Sequence, residues 1–80
     1  MSRSDLQPLS ALAPGARGTV VRVTRDLTSR AERLAALGIT PGAQITVLQT
    51  FPGIVFACDQ TEVAIERLVA RVIWVELEVL

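Results

Sequence analysis

The chain has 80 residues, half of them hydrophobic, with eight arginines balanced by eight carboxylates and with no lysine, histidine or tyrosine. That length holds one domain with one small core. Zero net charge argues against sequence-independent nucleic-acid binding, whose affinity comes from neutralising phosphates. The single cysteine, Cys58, excludes an internal disulfide and suits a reducing, cytoplasmic setting.

In chain order, residues 1–8 are polar and read as a flexible N-terminus before a domain spanning residues 9–80. No secretory pattern is visible there, and no run of about 18 apolar residues that would insert into a membrane occurs anywhere. Leu9 and Leu12 are apolar anchors ahead of a turn at Ala13-Pro14-Gly15. Gly18 opens a strand, Thr19–Val23, with Thr19, Val21 and Val23 on one face and Val20 and Arg22 on the other. A short helix is predicted within Asp26–Gly38. Ser29 and Glu32 fit a capping box, and Ala31, Leu34 and Leu37 form one apolar stripe, with Arg30 and Arg33 beside it. A helix of this length is unstable alone and must lie on the barrel. Gly38 ends it and Pro41-Gly42 turns the chain into the next strand.

That strand, Gln44–Leu48, alternates with Ile45 and Val47 inward and Leu48 outward. Ile54–Cys58 is apolar on both faces, which predicts cover on both sides. Asp59-Gln60 turns the chain into Thr61–Ile65, and Glu66–Arg71 reads as one helical turn. The last strand, Val72–Leu77, places Ile73, Val75 and Leu77 opposite Val72, Trp74 and Glu76. About five short strands with tight turns predict a mainly β fold: a small antiparallel barrel with a short helix between its first two strands and a helical turn before its last. No internal repeat and no low-complexity segment is found.

Groups that do chemistry are scarce. Without histidine and with one cysteine, no transition-metal site is expected; Glu62/Glu66 and Glu76/Glu78 are pairs where a hard cation needs more oxygens. Cys58 has no base beside it and sits in an apolar strand, which makes it a structural thiol. Pro14–Gly18 lacks the strand before it and the Lys-Ser/Thr after it that a phosphate loop needs. No catalytic, cofactor-binding or metal-binding residue is assigned, and surface recognition remains. Trp74 and Leu48, both in outward phase, and Arg30 and Arg33 on the helix are the candidate partner-binding residues. The C-terminal strand, continuing through Leu77–Leu80, is a candidate edge for a homo-oligomer.

These residues resemble the FeoA family, small accessory proteins of bacterial ferrous iron uptake with an SH3-like fold. The resemblance is carried by Leu9, Leu12, Pro14, Gly15, Gly18 and Val20, then by Arg33, Leu34, Leu37, Gly38, Ile39, Pro41 and Gly42, and finally by Ala70, Ile73 and Val75. The matched residues build scaffold: Gly18, Gly38, Pro41 and Gly42 set the backbone, and Leu34 and Leu37 are expected to seal one barrel end. The segment between Leu48 and Ile65 departs from the family pattern. The resemblance implies a cytoplasmic, non-catalytic adaptor, without cofactor, that binds and regulates or helps assemble FeoB, the membrane permease with a GTPase domain. Two alternatives stand beside it. The chain is also similar to the SH3-like domain of metal-dependent repressors, as a free-standing relative. Gly15–Val20 is similar to the start of the nucleic-acid-associated KOW motif, against which stand the zero charge and only three aromatic residues.

Overall fold

The computed structural model describes residues 6–24 and 30–78, excepting the side chains of Arg30 and Ala31. Six strands, β1 (Leu6–Pro8), β2 (Arg17–Val23), β3 (Gln44–Gln49), β4 (Ile54–Cys58), β5 (Thr61–Ile65) and β6 (Ile73–Leu77), form one antiparallel sheet. Three short helical segments interrupt them: a 3-10 turn (Leu9–Ala11) after β1, α1 (Arg30–Ala36) between β2 and β3, and α2 (Arg67–Ala70) before β6. The strand order β1-β6-β2-β3-β4-β5 leaves the sheet unclosed, with β1 and β5 at its edges. Its concave side holds Phe56, Leu9, Ile39, Ile54, Ile73, Val20, Val47 and Val75, all essentially without solvent contact.

Two assignments at the chain ends change. Leu6–Pro8, expected as part of a frayed terminus, pairs with Trp74–Glu76 of β6. Leu9 and Leu12 are buried just behind it, so the strand is anchored by the core rather than by its own composition. The C-terminal strand is therefore no free edge: β1 lies along one side of β6 and β2 along the other. Residues Val79 and Leu80 lie outside those described, as does Ser29 of the expected capping box.

The helix end also differs from its sequence pattern. The N–H of Ile39 donates to the carbonyl of Leu34 (2.9 Å) and that of Gly38 to Ala35 (3.0 Å), a Schellman stop with Gly38 at φ +88°. This reversal carries Ile39 into the core against Leu34, and it leaves Leu37 54% exposed. Leu34 seals the barrel end as expected; its partner there is Ile39, not Leu37.

An internal repeat, unrecognised in the sequence, organises the central strands. Leu12-Ala13-Pro14-Gly15-Ala16-Arg17-Gly18-Thr19-Val20 matches Ile39-Thr40-Pro41-Gly42-Ala43-Gln44-Ile45-Thr46-Val47 in Pro-Gly-Ala, Thr and Val. Each copy is a Pro-Gly turn, closed by Ala16 N–H to Ala13 and by Ala43 N–H to Thr40, with a positive φ at Gly15 and Gly42. Each turn hooks onto the other copy's strand: Gly15 N–H donates to Val47 (2.8 Å) and Gly42 N–H to Val20 (2.7 Å). Both strands then bulge just after the buried valine, shifting register at Val21 and at Leu48. The bulges explain why Val21 and Leu48 are exposed and why Val23, opposite Ile73, returns to the core side. Gly18 serves closeness: a Cβ there would sit 2.5 Å from the Glu76 carbonyl oxygen on β6.

Candidate interaction site

The polar chemistry of the surface is sparse. Arg17 and Glu78 pair at 3.7 Å, both well exposed, across a cleft that Gln44, Thr46 and Asp59 also line. Such a pair contributes little to stability. Among the described residues no three His, Cys, Asp or Glu side chains come together as a metal would need. Cys58 is buried at the end of β4, its thiol 3.8 Å from the Gly38 carbonyl, to which it donates. Burial, and secondly the nearby Asp59 carboxylate, push its pKa up, so the thiol stays protonated and inert.

Two clefts with apolar lining meet at the end of β5. A cleft of about 390 Å³ runs between α1 and the end of β5, lined by Leu34 and Leu37 on one side and by Ala64, Ile65 and Val69 on the other. Arg33 and Glu66 also line it. A second cleft, about 530 Å³, lies across the same stretch of β5 and is walled by Pro52, Gly53, Arg67 and Leu68. The two share Ala64, Ile65 and Glu66. Leu37, Leu68 (56% exposed) and Phe51 (80% exposed, beside Pro52) add apolar area that the fold leaves uncovered.

Arg67 holds this region together. Its guanidinium donates to the carbonyls of Ser10, at 3.3 Å, and of Thr50. One side chain thus ties α2 to the N-terminal turn and to the loop carrying Phe51 and Pro52. Its charge is therefore engaged with backbone carbonyls, while Arg33 remains exposed at the cleft.

The candidate residues named from sequence do not gather in one place. Arg33 lines the α1–β5 cleft; Arg30 opens α1, but its side chain lies outside those described. Trp74 is half-buried on the outer side of the sheet, opposite Pro8 and Arg22, and its indole N–H donates to the Thr24 hydroxyl at 3.0 Å. Leu48 lies past Thr46, which pairs with Arg17 at the other end of β2, so Trp74 and Leu48 share no patch. Sequence reasoning missed Phe51, Leu68 and the edge position of β5. An unpaired edge depends on strand order, which no local pattern records. Glycines 15 and 18, which carry the nucleic-acid-motif resemblance, are accounted for by the turn and by the approach to β6.

Residues 7–77 match the FeoA domain family. The chain belongs to the FeoA family. A crystal structure of the iron uptake regulatory protein FeoA is 30% identical, over 91% of this chain and 97% of that one, with a TM-score of 0.83. A manganese-dependent transcriptional repressor is 27% identical over 98% of this chain, which spans 45% of that one, with a TM-score of 0.85. The FeoA of Stenotrophomonas maltophilia, solved with zinc and described as a prokaryotic SH3 domain protein and candidate ferrous iron transport activating factor, is 20% identical. It matches over 85% of this chain and 87% of that one with a TM-score of 0.76, a likeness of fold. No curated protein sequence matches the chain. No helix among the described residues of this FeoA-family chain is long and apolar enough to cross a membrane.

Proposed function

We propose that this FeoA-family protein is a non-catalytic, cytoplasmic accessory factor of ferrous iron uptake that acts by touching FeoB, the membrane permease, rather than by carrying iron. The observation that carries this reading is the α1–β5 cleft, with Leu37 uncovered and Arg33 in its lining, in a family tied to ferrous iron transport. An exposed leucine beside a groove, with an arginine that no ion pair engages among the described residues, is the residue chemistry of a protein interface. Leu37 and Arg33 are the proposed principal contacts. Trp74 and Leu48 belong to other faces and would make separate contacts.

The test is capture of FeoB from detergent-solubilised membranes by tagged protein, alongside ferrous iron uptake in cells lacking this gene. Enrichment of the permease and impaired uptake, both restored by the wild-type protein and not by Leu37→Asp, are expected. Failure to enrich the permease together with normal uptake refutes the reading. A second reading, a module of metal-responsive transcription, is supported by the likeness to the manganese-dependent repressor. It predicts altered transcript levels with unchanged transport rates per permease molecule.

A further inference from the structure

The relation between the two Pro-Gly turns extends through the whole sheet. Exchanging β2 with β3, β6 with β4 and β1 with β5 turns the strand order β1-β6-β2-β3-β4-β5 into its own reverse. The β2–β3 ladder obeys the same exchange. Arg17 opposite Thr46 is the counterpart of Gln44 opposite Thr19, and Gly18 opposite Ile45 is its own counterpart. The flanking ladders follow, with Val20 opposite Val75 before one bulge and Val47 opposite Phe56 before the other. The sheet is therefore pseudo-two-fold about the Gly18–Ile45 pair, and that axis exchanges the two turns.

Each turn closes one end of the β2–β3 ladder by holding both backbone groups of one valine. Gly15 N–H donates to the Val47 carbonyl and Val47 N–H to the Ala16 carbonyl, each at 2.8 Å. Gly42 N–H donates to the Val20 carbonyl at 2.7 Å, and Val20 N–H to the Ala43 carbonyl at 2.8 Å. The first turn runs directly into β2, which the second turn holds; the second runs directly into β3, which the first holds. The hydrogen bonds thus close a ring. Val20 and Val47 are both buried in one core, so freeing either from its turn disturbs packing that the other shares and strands buried polar groups. The ring also reaches α1. Ala43 N–H donates to Thr40 and Thr40 N–H to Gly38, and between them Ile39 is buried with its N–H on Leu34. We propose that the two turns form a reciprocal clasp: these ladder ends do not fray, both are released only together, when the domain unfolds, and the N-terminal turn thereby seats the end of α1. The clasp goes beyond the adaptor reading and does not rest on it; amide exchange tests the one and permease capture the other.

The test is native-state amide exchange, followed by NMR, on the full chain and on Gly15→Ala and Gly42→Ala. Neither added methyl meets an atom within 4 Å, and both glycines have a positive φ, so each substitution strains only its own closed turn. Such strain is relieved by any opening that releases that turn, and it speeds exchange only at amides that the same opening frees. In the wild-type chain the amides of Gly15, Val20, Gly42 and Val47 are expected to exchange at the rate set by global unfolding, as measured in urea. Turns that fray alone would exchange faster. Gly15→Ala is expected to speed exchange at Val47, beside it, and at Val20, Gly42 and Ile39, across the axis, all by one factor of about five to thirty. Gly42→Ala is expected to act equally on Val20 and on Gly15 and Val47. If Gly15→Ala speeds Val47 but leaves Val20 and Gly42 at wild-type rates, the turns open independently and the clasp is overturned. If Val20 and Gly42 respond but Ile39 does not, the N-terminal turn does not seat α1 and that part is overturned.

Discussion

Leu37→Asp should leave this domain folded and abolish its partner binding. Leu37 is 54% exposed, so about half its side-chain burial is at stake. Full burial of a leucine contributes about 1.5–3 kcal/mol, so the loss is about 1 kcal/mol. A carboxylate at the helix C-terminus adds an unfavourable dipole interaction of about 0.3–1 kcal/mol. The backbone stop is untouched, because it is made by the N–H groups of Gly38 and Ile39. Against this stands the stability of an 80-residue domain, about 4–12 kcal/mol at typical values per residue. The expected outcome is a melting temperature lower by about 10 °C with a cooperative transition retained. Leu34→Asp, one turn earlier and buried, should instead unfold the chain, because it places an unpaired charge in the core. The assay is thermal and urea denaturation of both variants, paired with permease capture. A leucine at the proposed interface should cost at least about tenfold in affinity when charged. Unfolding by Leu37→Asp would refute the placement of the helix end; full stability with undiminished capture would refute the role of the cleft.

Two glycine substitutions should separate crowding from strain in urea melts. Gly18→Ala meets the Glu76 carbonyl and a Val75 methyl, and should destabilise by about 3 kcal/mol through separation of β2 from β6. Gly42→Ala meets no atom within 4 Å and should cost only the positive φ, about 1–2 kcal/mol; an equal loss at both sites would contradict the packing at Gly18. Cys58 should resist iodoacetamide in the native state at pH 8 and react on unfolding. Because burial raises its pKa, the unfolded chain ionises first, so its contribution to stability is flat at neutral pH and falls as pH rises through and beyond the ordinary thiol range. A native thiol that alkylates at the unfolded rate would sink this. Thr24→Val removes the acceptor of the Trp74 indole and should shift the tryptophan emission while changing stability by about 1 kcal/mol; unchanged emission would deny that hydrogen bond.

Much of this protein was legible residue by residue. The Pro-Gly turns, the Gly38 stop, the inward Ile45 and Val47 and the single turn after Glu66 follow from backbone preferences and alternation within four to six residues, and such preferences act wherever the segment lies. The family itself was legible from the same glycines, prolines and leucines. What the sequence alone left open was every choice that depends on a distant neighbour. Hydropathy marks Leu37 and Ile39 equally as candidates for burial; the reversal at Gly38 and the space beside Leu34 select Ile39. Period-two alternation cannot reveal the bulges at Val21 and Leu48, because they answer the strands across from them. Nor does any local pattern place β6 between β1 and β2 and leave β5 at the edge. Strand order is set by how long-range pairings share one small core, and that order creates the exposed edge and the clefts beside it on which the proposed function depends.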